Sequence, residues 1–500
     1  MSLAAAIRAT PGIPCRPWPR HALSSERWVA LGPEPGLDLL AMWGDPHAVH
    51  ALLRDPAGML AVSVTVADGR YPALSPHRPA ARLFERAIRD LWGHAAEGAP
   101  GQAIDERPWL DHGTWDITTP LSPRPPTRIG ATPPVSFQDT DDTQDQLPIG
   151  PFAGNIAEAG QFRLFTHGPA IARLEARLGY LHKGIPALMR GKSPRAASRF
   201  AARLAGDAPV AHGIAFARAA EAACDTPPPP RAIALRAVMA ELERLASHLA
   251  DLDSLAQAAA TPLAATPLAA TPCQRHREAI LRAANRCFGH RLMMDIVVPG
   301  GLAIDLAPDG EDILRITIAA LASDLPAIAH LCEPLARRLD GIAIAPPAAV
   351  AALSPGGPAG RASGAGTDLR RSPGYRPYHD LNVSPVREHA GDAAARLLVL
   401  LAELRDSARM LRTQLADLPA GEIVTTLPPD SGEGFGWAEG PRGDIWTWLR
   451  LEGGHIANVF LRDPGWLILP LMETAMAGTD LSDWPAARAS FGLSLAGMDL

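Results

Sequence analysis

Five cysteines in 500 residues could hold a metal only if some of them were paired. They stand at Cys15, Cys224, Cys273, Cys287 and Cys332, and the nearest two are fourteen residues apart. A zinc ribbon, a redox dithiol or an iron–sulfur cradle needs close Cys-x-x-Cys pairs, and the sequence has none. The five read as small buried or free thiols. The remaining chemistry-bearing residues are scattered. His248 lies three residues after Leu245 and four before Leu252, at the edge of an apolar helical stripe. It is read either as a core histidine or as a working ring. His212, in Val210-Ala211-His212-Gly213-Ile214, is read as core packing at a helix start. The Gly-rich stretch Ser354–Gly366 follows no strand, so it gives no support for a nucleotide fold.

The elements around these residues divide the chain. Residues 1–120 read as α+β, with strand candidates at Trp28–Leu31, Leu37–Met42 and Met59–Val66. One helix is clear there: Leu83, Phe84, Ala87, Ile88, Leu91 and Trp92 share a face, and Gly93 supplies the stop. Residues 121–148, rich in Pro, Thr, Asp and Gln, read as a linker. Residues 149–500 read as mostly helical with a small β portion that includes Gln161–Thr166. Arg231–Leu255 and Gly391–Leu418 are long helices whose leucines recur at 3/4 spacing, as in the interior of a bundle. Two low-complexity insertions, 260–272 and 354–373, are expected to be surface loops without chemistry.

Composition narrows the function. Lys and Arg number 47 against 53 Asp and Glu, a net charge of −6, which lacks the basic surplus of a general nucleic-acid binder. Only two basic residues are lysines, Lys183 and Lys192. No uninterrupted apolar run reaches membrane-spanning length, and the most apolar region, Ile316–Leu335, is broken by Asp324, Pro326, His330 and Glu333. Met1–Arg20 lacks an apolar signal core, so a cytoplasmic chain is expected.

Several segments in one order resemble a known family. They are Gly150-Pro151, Gly160–Phe165, Arg177–Ile185, Glu241–Leu249, Pro299-Gly300-Gly301, Glu439–Asp444, and Arg462 … Trp466 … Pro470-Leu471. Together they are similar to the large subunit of nickel–iron energy-converting hydrogenases, itself homologous to the quinone-site (D-type) subunit of respiratory complex I. In the front part, His77-Arg78-Pro79, Glu85–Gly93 and Arg107–Gly113 resemble the C-type subunit of complex I. A fusion of the C-type and D-type parts is the arrangement of formate-hydrogenlyase-type complexes. The resemblance implies a small N-terminal α/β domain followed by a helical large-subunit domain.

Departures from that pattern bear on function. The hydrogenase pattern binds nickel and iron through two Cys-x-x-Cys pairs, because soft thiolates hold such a centre. The first pair should fall where Ala205-Gly206-Asp207-Ala208 stands, and the second within Phe491–Gly497. All four thiolates are missing, and Pro186 replaces an expected acid. The quinone-facing His and Tyr of the complex I pattern fall at Ala157 and at Ala205-Gly206. Asp207 is the candidate replacement for one polar partner. The resemblance places Lys183 and His248 beside the terminal iron–sulfur cluster of a partner, where a positive charge and a ring N–H would favour the reduced cluster. It places Arg442 and Asp444 at the cavity, with His212 near it.

The sequence thus predicts a peripheral-arm subunit of a complex related to NADH-quinone oxidoreductases and energy-converting hydrogenases, on the inner face of the cell membrane. NAD and quinone binding belong to such a complex as a whole. The partners implied are an iron–sulfur small subunit and antiporter-like proton-translocating subunits. The chain itself is expected to bind no metal, with a quinone as the small molecule in view. The alternative is a redox-inactive scaffold of the same complex.

Overall fold

The computed structural model describes residues 2–110, 118–123, 137, 145–152, 158–259 and 267–500, excepting the side chains of 267–271. The expected α+β class holds. In the front part, strands Arg20–Leu23, Gly58–Thr65, Ala48–Asp55 and Asp38–Gly44 lie side by side in that order. Arg20–Leu23 runs parallel to Gly58–Thr65, and the other pairs are antiparallel. Helix Ala81–Trp92 covers this sheet and ends at Gly93, whose φ of 78° permits the left-handed stop. Trp28 belongs to no strand. It sits in helix Ser25–Ala30, whose first turn Ser24 caps, and that cap outweighs the β preference of Trp and Val.

The expected linker is folded at both ends. Leu121 is buried, and Asp145–Ile149 is a strand paired with Gln161–His167, which pairs in turn with Ala170–Arg177. Most of the stretch between them lies outside the described residues, as do Asp111–Gly113 of the C-type motif and Ala157. Of the Ala-Thr-Pro-Leu-Ala repeat, 260–266 lies outside them too, and the remainder joins helix Pro267–Phe288 rather than a loop.

Four long helices build the rear part: Pro230–Ala259, Pro267–Phe288, Gly310–Leu339 and Ala393–Ala416. Asp392 caps the last through the Ala395 N–H at 2.8 Å. Gly310–Leu339 continues through Pro326 and Pro334 and is long and apolar enough to cross a membrane by length and composition. Leu314, Ile318, Leu321, Leu325, Ile328 and Cys332 are buried along one stripe, which packs on helices Pro267–Phe288 and Ala393–Ala416. The opposite face carries Ile316, 72% exposed.

A three-stranded antiparallel sheet, Gly432–Gly440, Gly443–Glu452 and His455–Arg462, receives helix Pro209–Ala223 across its first strand. Glycines make that approach close. A Cβ at Gly434 or Gly436 would stand 2.2 or 2.0 Å from a helix carbonyl oxygen. One continuous set of buried apolar residues joins front and rear. Phe84 stacks on Trp466 at 4.9 Å, Trp43 on Phe460 at 5.4 Å, and Arg20 donates to both Glu433 oxygens at 2.9 and 2.8 Å.

The 354–373 insertion corrects a second expectation. Gly357–Arg361 is a buried helical turn, not a surface loop, and it carries one of the central cations. Its small residues serve close packing: a Cβ at Gly356 would stand 2.2 Å from Asp444 Oδ1, and Gly357 has φ of +66°. Composition alone cannot distinguish such packing glycines from loop glycines.

Candidate functional site

Helix Pro230–Ala259 is buried nearly all round, so every charge on it must find a partner inside the protein. Glu243 accepts from the Val210 and Ala211 N–H groups at 2.6 and 3.0 Å, satisfying two donors at the start of helix Pro209–Ala223. Glu243 lines a cavity of about 160 Å³ between helices Pro230–Ala259 and Pro267–Phe288. Leu242, Ala246, Ile280, Leu281 and Met293 form apolar walls, while Asp207, Glu243, Ser247 and Arg442, with Arg277 and Arg291, supply the polar ones. Asp207 Oδ1 and Ser247 Oγ are buried with no hydrogen-bond partner among the described residues.

The electrostatics here favour a proton-bearing Glu243 near a fixed cation. Burial pushes the Glu243 carboxyl up to about 8, against the two N–H donors that favour its charged form. Burial also raises Asp207, although the Arg442 guanidinium beside it opposes the shift. Arg442 Nε donates to Asp207 Oδ2 at 3.0 Å, and its Nη1 pairs with Asp251. Despite burial, Arg442 keeps the Asp251 carboxyl below its ordinary range. The cavity can therefore receive a polar head carrying partial negative charge and offer it both a cation and a proton.

A chain of buried charges leads inward from Asp251. His248 is 0% exposed; its Nδ1 lies 3.8 Å from Asp251 and its Nε2 lies 2.8 Å from Glu403 Oε2. Glu403 also accepts from Arg361 Nε at 2.8 Å, and Arg361 Nη1 reaches Glu439 Oε1 at 2.9 Å. Arg370 bridges Asp368 at 2.7 Å and Glu241 at 3.2 Å, and Glu241 accepts from Tyr378 and Ser407 at 2.7 and 2.6 Å. Arg361 and the imidazole hold Glu403 well below the carboxylate range even though burial opposes them. Glu439, with burial and Asp368 acting together, is raised to about 7.

Of the residues singled out in the sequence, Asp207 and Arg442 meet at the cavity, and His248 joins them through Asp251. His248 is thus no edge residue but a fully enclosed ring. His212 is fully buried with Nε2 3.0 Å from Asp463. Asp444 is engaged elsewhere, accepting from Trp446 Nε1 at 3.0 Å and pairing with Arg462 at 3.0 Å. Lys183 is exposed, its Nζ 3.4 Å from the Leu181 and Ala496 carbonyls. Glu243, Asp251, Arg361 and Glu403 were not singled out. Charged residues set inside the apolar periodicity of two long helices were the signal for all but Arg361.

The two segments expected to carry thiolates come together here. Arg442 pairs with Asp207 and approaches Gly492 so closely that a Cβ there would stand 2.4 Å from its Nη1. Asp463 lies between the second segment and helix Pro209–Ala223, against Gly497 and His212. Residues 264–429 match the family model of the respiratory-chain NADH dehydrogenase 49 Kd subunit. The chain is 29% identical over 364 residues to the D-type subunit of the NADH-quinone oxidoreductase of Dehalococcoides mccartyi, across 71% of this chain and 97% of that one. To formate hydrogenlyase subunit 5 of Escherichia coli K12 it is 30% identical over 442 residues, across 85% of this chain and 76% of that one. The chain belongs to the family of hydrogenase large subunits and the complex I 49 Kd subunit.

A chain of the membrane-bound sulfane sulfur reductase, an archaeal respiratory membrane complex, shares the fold. Its TM-score is 0.66 at 22% identity, over 73% of this chain and 100% of that one. Against the hydrogenase pattern, the junction of this family member offers Asp207 and Ser494 where soft ligands would stand. Asp207 is already bound to Arg442, and Ser494 Oγ donates to Glu158 at 3.0 Å. Such a donor set does not fit a nickel–iron centre.

Proposed function

We propose that this chain is the large peripheral-arm subunit of a membrane-bound respiratory complex, coupling electron transfer to proton translocation without a nickel–iron centre. In this reading it lies on the cytoplasmic face, against the terminal iron–sulfur cluster of a small subunit and against antiporter-like membrane subunits. Membership of a family whose named relatives include a subunit of NADH-quinone oxidoreductase supports the assignment. The observation that carries the nickel-free part is the cavity beside the first of the segments expected to carry thiolates, lined by Asp207, Glu243 and Arg442 with no sulfur ligand.

A quinone-like acceptor with an apolar body fits the walls of this cavity. Its oxygen would find Arg442 as a cation and Glu243 as a proton source, while the low-lying Asp251 and Glu403 carboxylates hold His248 and Arg442 in place. The test is turnover of the assembled complex carrying Asp207→Asn or Glu243→Gln, with assembly followed by native gel. Turnover should fall ~100-fold or more, the usual effect of losing a positioned acid, while the complex remains intact. Unchanged turnover would favour the scaffold reading. Elemental analysis of the same complex should find nickel far below one per chain; near one per chain would overturn the nickel-free assignment.

A further inference from the structure

Arg218, on helix Pro209–Ala223, stands outside the cavity and the charge chain described above. Its guanidinium carbon lies 4.6 Å from the Tyr375 ring centroid and 4.3 Å from that of Trp437. Rings against its flat faces leave only the edge N–H groups for a partner. Its Nε is buried without a hydrogen bond, and no ion pair reaches this side chain among the described residues. Arg396, also without a carboxylate partner, makes the contrast: it donates to Ser490 Oγ, the Gly391 carbonyl and the Ala343 carbonyl at 3.0, 2.8 and 3.0 Å. Arg218 has no such acceptors and instead lines a small cavity of about 80 Å³.

That cavity is cationic. Arg218, Arg236 and Arg376 line it against one carboxylate, Glu221. Both Glu221 oxygens are occupied by Arg236, at 2.6 and 3.1 Å, and one also accepts from the Gly300 N–H at 2.9 Å. An uncompensated cation in such a place is costly, and a guanidinium edge matches a carboxylate with two parallel hydrogen bonds. We infer that the Arg218 cavity is a binding site for a carboxylate, held by the ring-packed Arg218 and flanked at the rim by exposed Arg376. Burial lowers the Arg218 guanidinium to about 10, against the weaker pull of the Glu221 carboxylate, which Arg236 already holds. The carboxylate is either a free small acid or an acidic side chain of a partner subunit, since both present the same two oxygens.

Calorimetric titration with acetate at constant ionic strength, made up with chloride, tests this on the full-length chain and on the assembled complex. One saturable site per chain is expected, weakened about tenfold by Arg218→Lys, which keeps charge but loses the fork. Arg376→Ala should weaken it by a smaller factor without shifting the melting midpoint. Acetate should also slow phenylglyoxal modification of Arg218 in the wild type, a readout that needs no variant. Binding seen only in the isolated chain assigns the oxygens to a partner's side chain, and binding that persists in the complex assigns them to a free acid. Absence of saturable binding in both, or equal binding by Arg218→Lys, overturns the site.

Discussion

Arg442 Nε lies 3.0 Å from Asp207 Oδ2, although 235 residues separate the two in the chain. The same guanidinium also pairs with Asp251, so one cation ties a loop, a buried helix and a β-turn together. Each of the two carboxylates responds differently: Asp251 is held low, while Asp207, raised by burial and by the negative charge of Asp463 and Glu158 nearby, stays high. The arginine lowers both, and burial with the carboxylates around Asp207 sets the two apart in proton affinity, which suits a site that must both hold and release protons.

Arg361 should be a stability hub. It is 1% exposed and serves Glu403, Glu439 and Asp368 at once. Arg361→Met would leave those acids buried without this cation, a loss of about 3–5 kcal/mol. Arg361→Lys should fall between, keeping charge without the fork. Denaturant titration of the three proteins gives the order; equal midpoints would show that the arginine is dispensable.

Stability should depend on pH through Glu243. Its carboxyl is raised from 4.5 to about 8, so the folded state binds a proton that the unfolded state has already lost. The contribution is full below about 4.5 and disappears as pH rises through 8. Wild type should thus lose stability relative to Glu243→Gln between these values and track it above them. Glu439 and Asp499, raised to about 7 and about 6, titrate in the same window, so only the difference between the two proteins is diagnostic. A difference flat in pH would remove the buried acid from the account.

The thiols should be inert. Burial pushes Cys273 up to about 12 and Cys287 and Cys332 up to about 11, and it raises Cys15 and Cys224 as well. All five are buried. Only thiolates react quickly, so maleimide should label native protein far more slowly than denatured protein. One fast-labelling cysteine at neutral pH would reveal an exposed or activated thiol.

Residues 1–120 should not fold cooperatively alone. Phe84, Trp109 and Trp43 pack against Trp466 and Phe460 of the rear part, burying aromatic surface that a fragment would expose. Trp466→Ala in the full chain should cost about 3–5 kcal/mol. A fragment with a sharp melting transition would restore the two parts as independent units.

The sequence by itself determined the elements whose signals are local. Helix Ala81–Trp92, its Gly93 stop and the two long leucine-rich helices followed from periodicity, because a 3.6-residue repeat records which face meets a core. Missing cysteine pairs were equally legible, since ligand spacing within a pair is a local property. Ser24 overruled the strand reading of Trp28, and Gly356-Gly357 turned an expected loop into packed core, because a cap and a close approach depend on neighbours that composition does not name. Only the tertiary structure decided the site. Asp207, Arg442, Asp251, His248, Glu403 and Arg361 come from six separate positions on several elements, and each is stable in the interior only because the others neutralise it. Charge pairing across such distances leaves no periodic trace, so the partnerships exist only once the helices have packed.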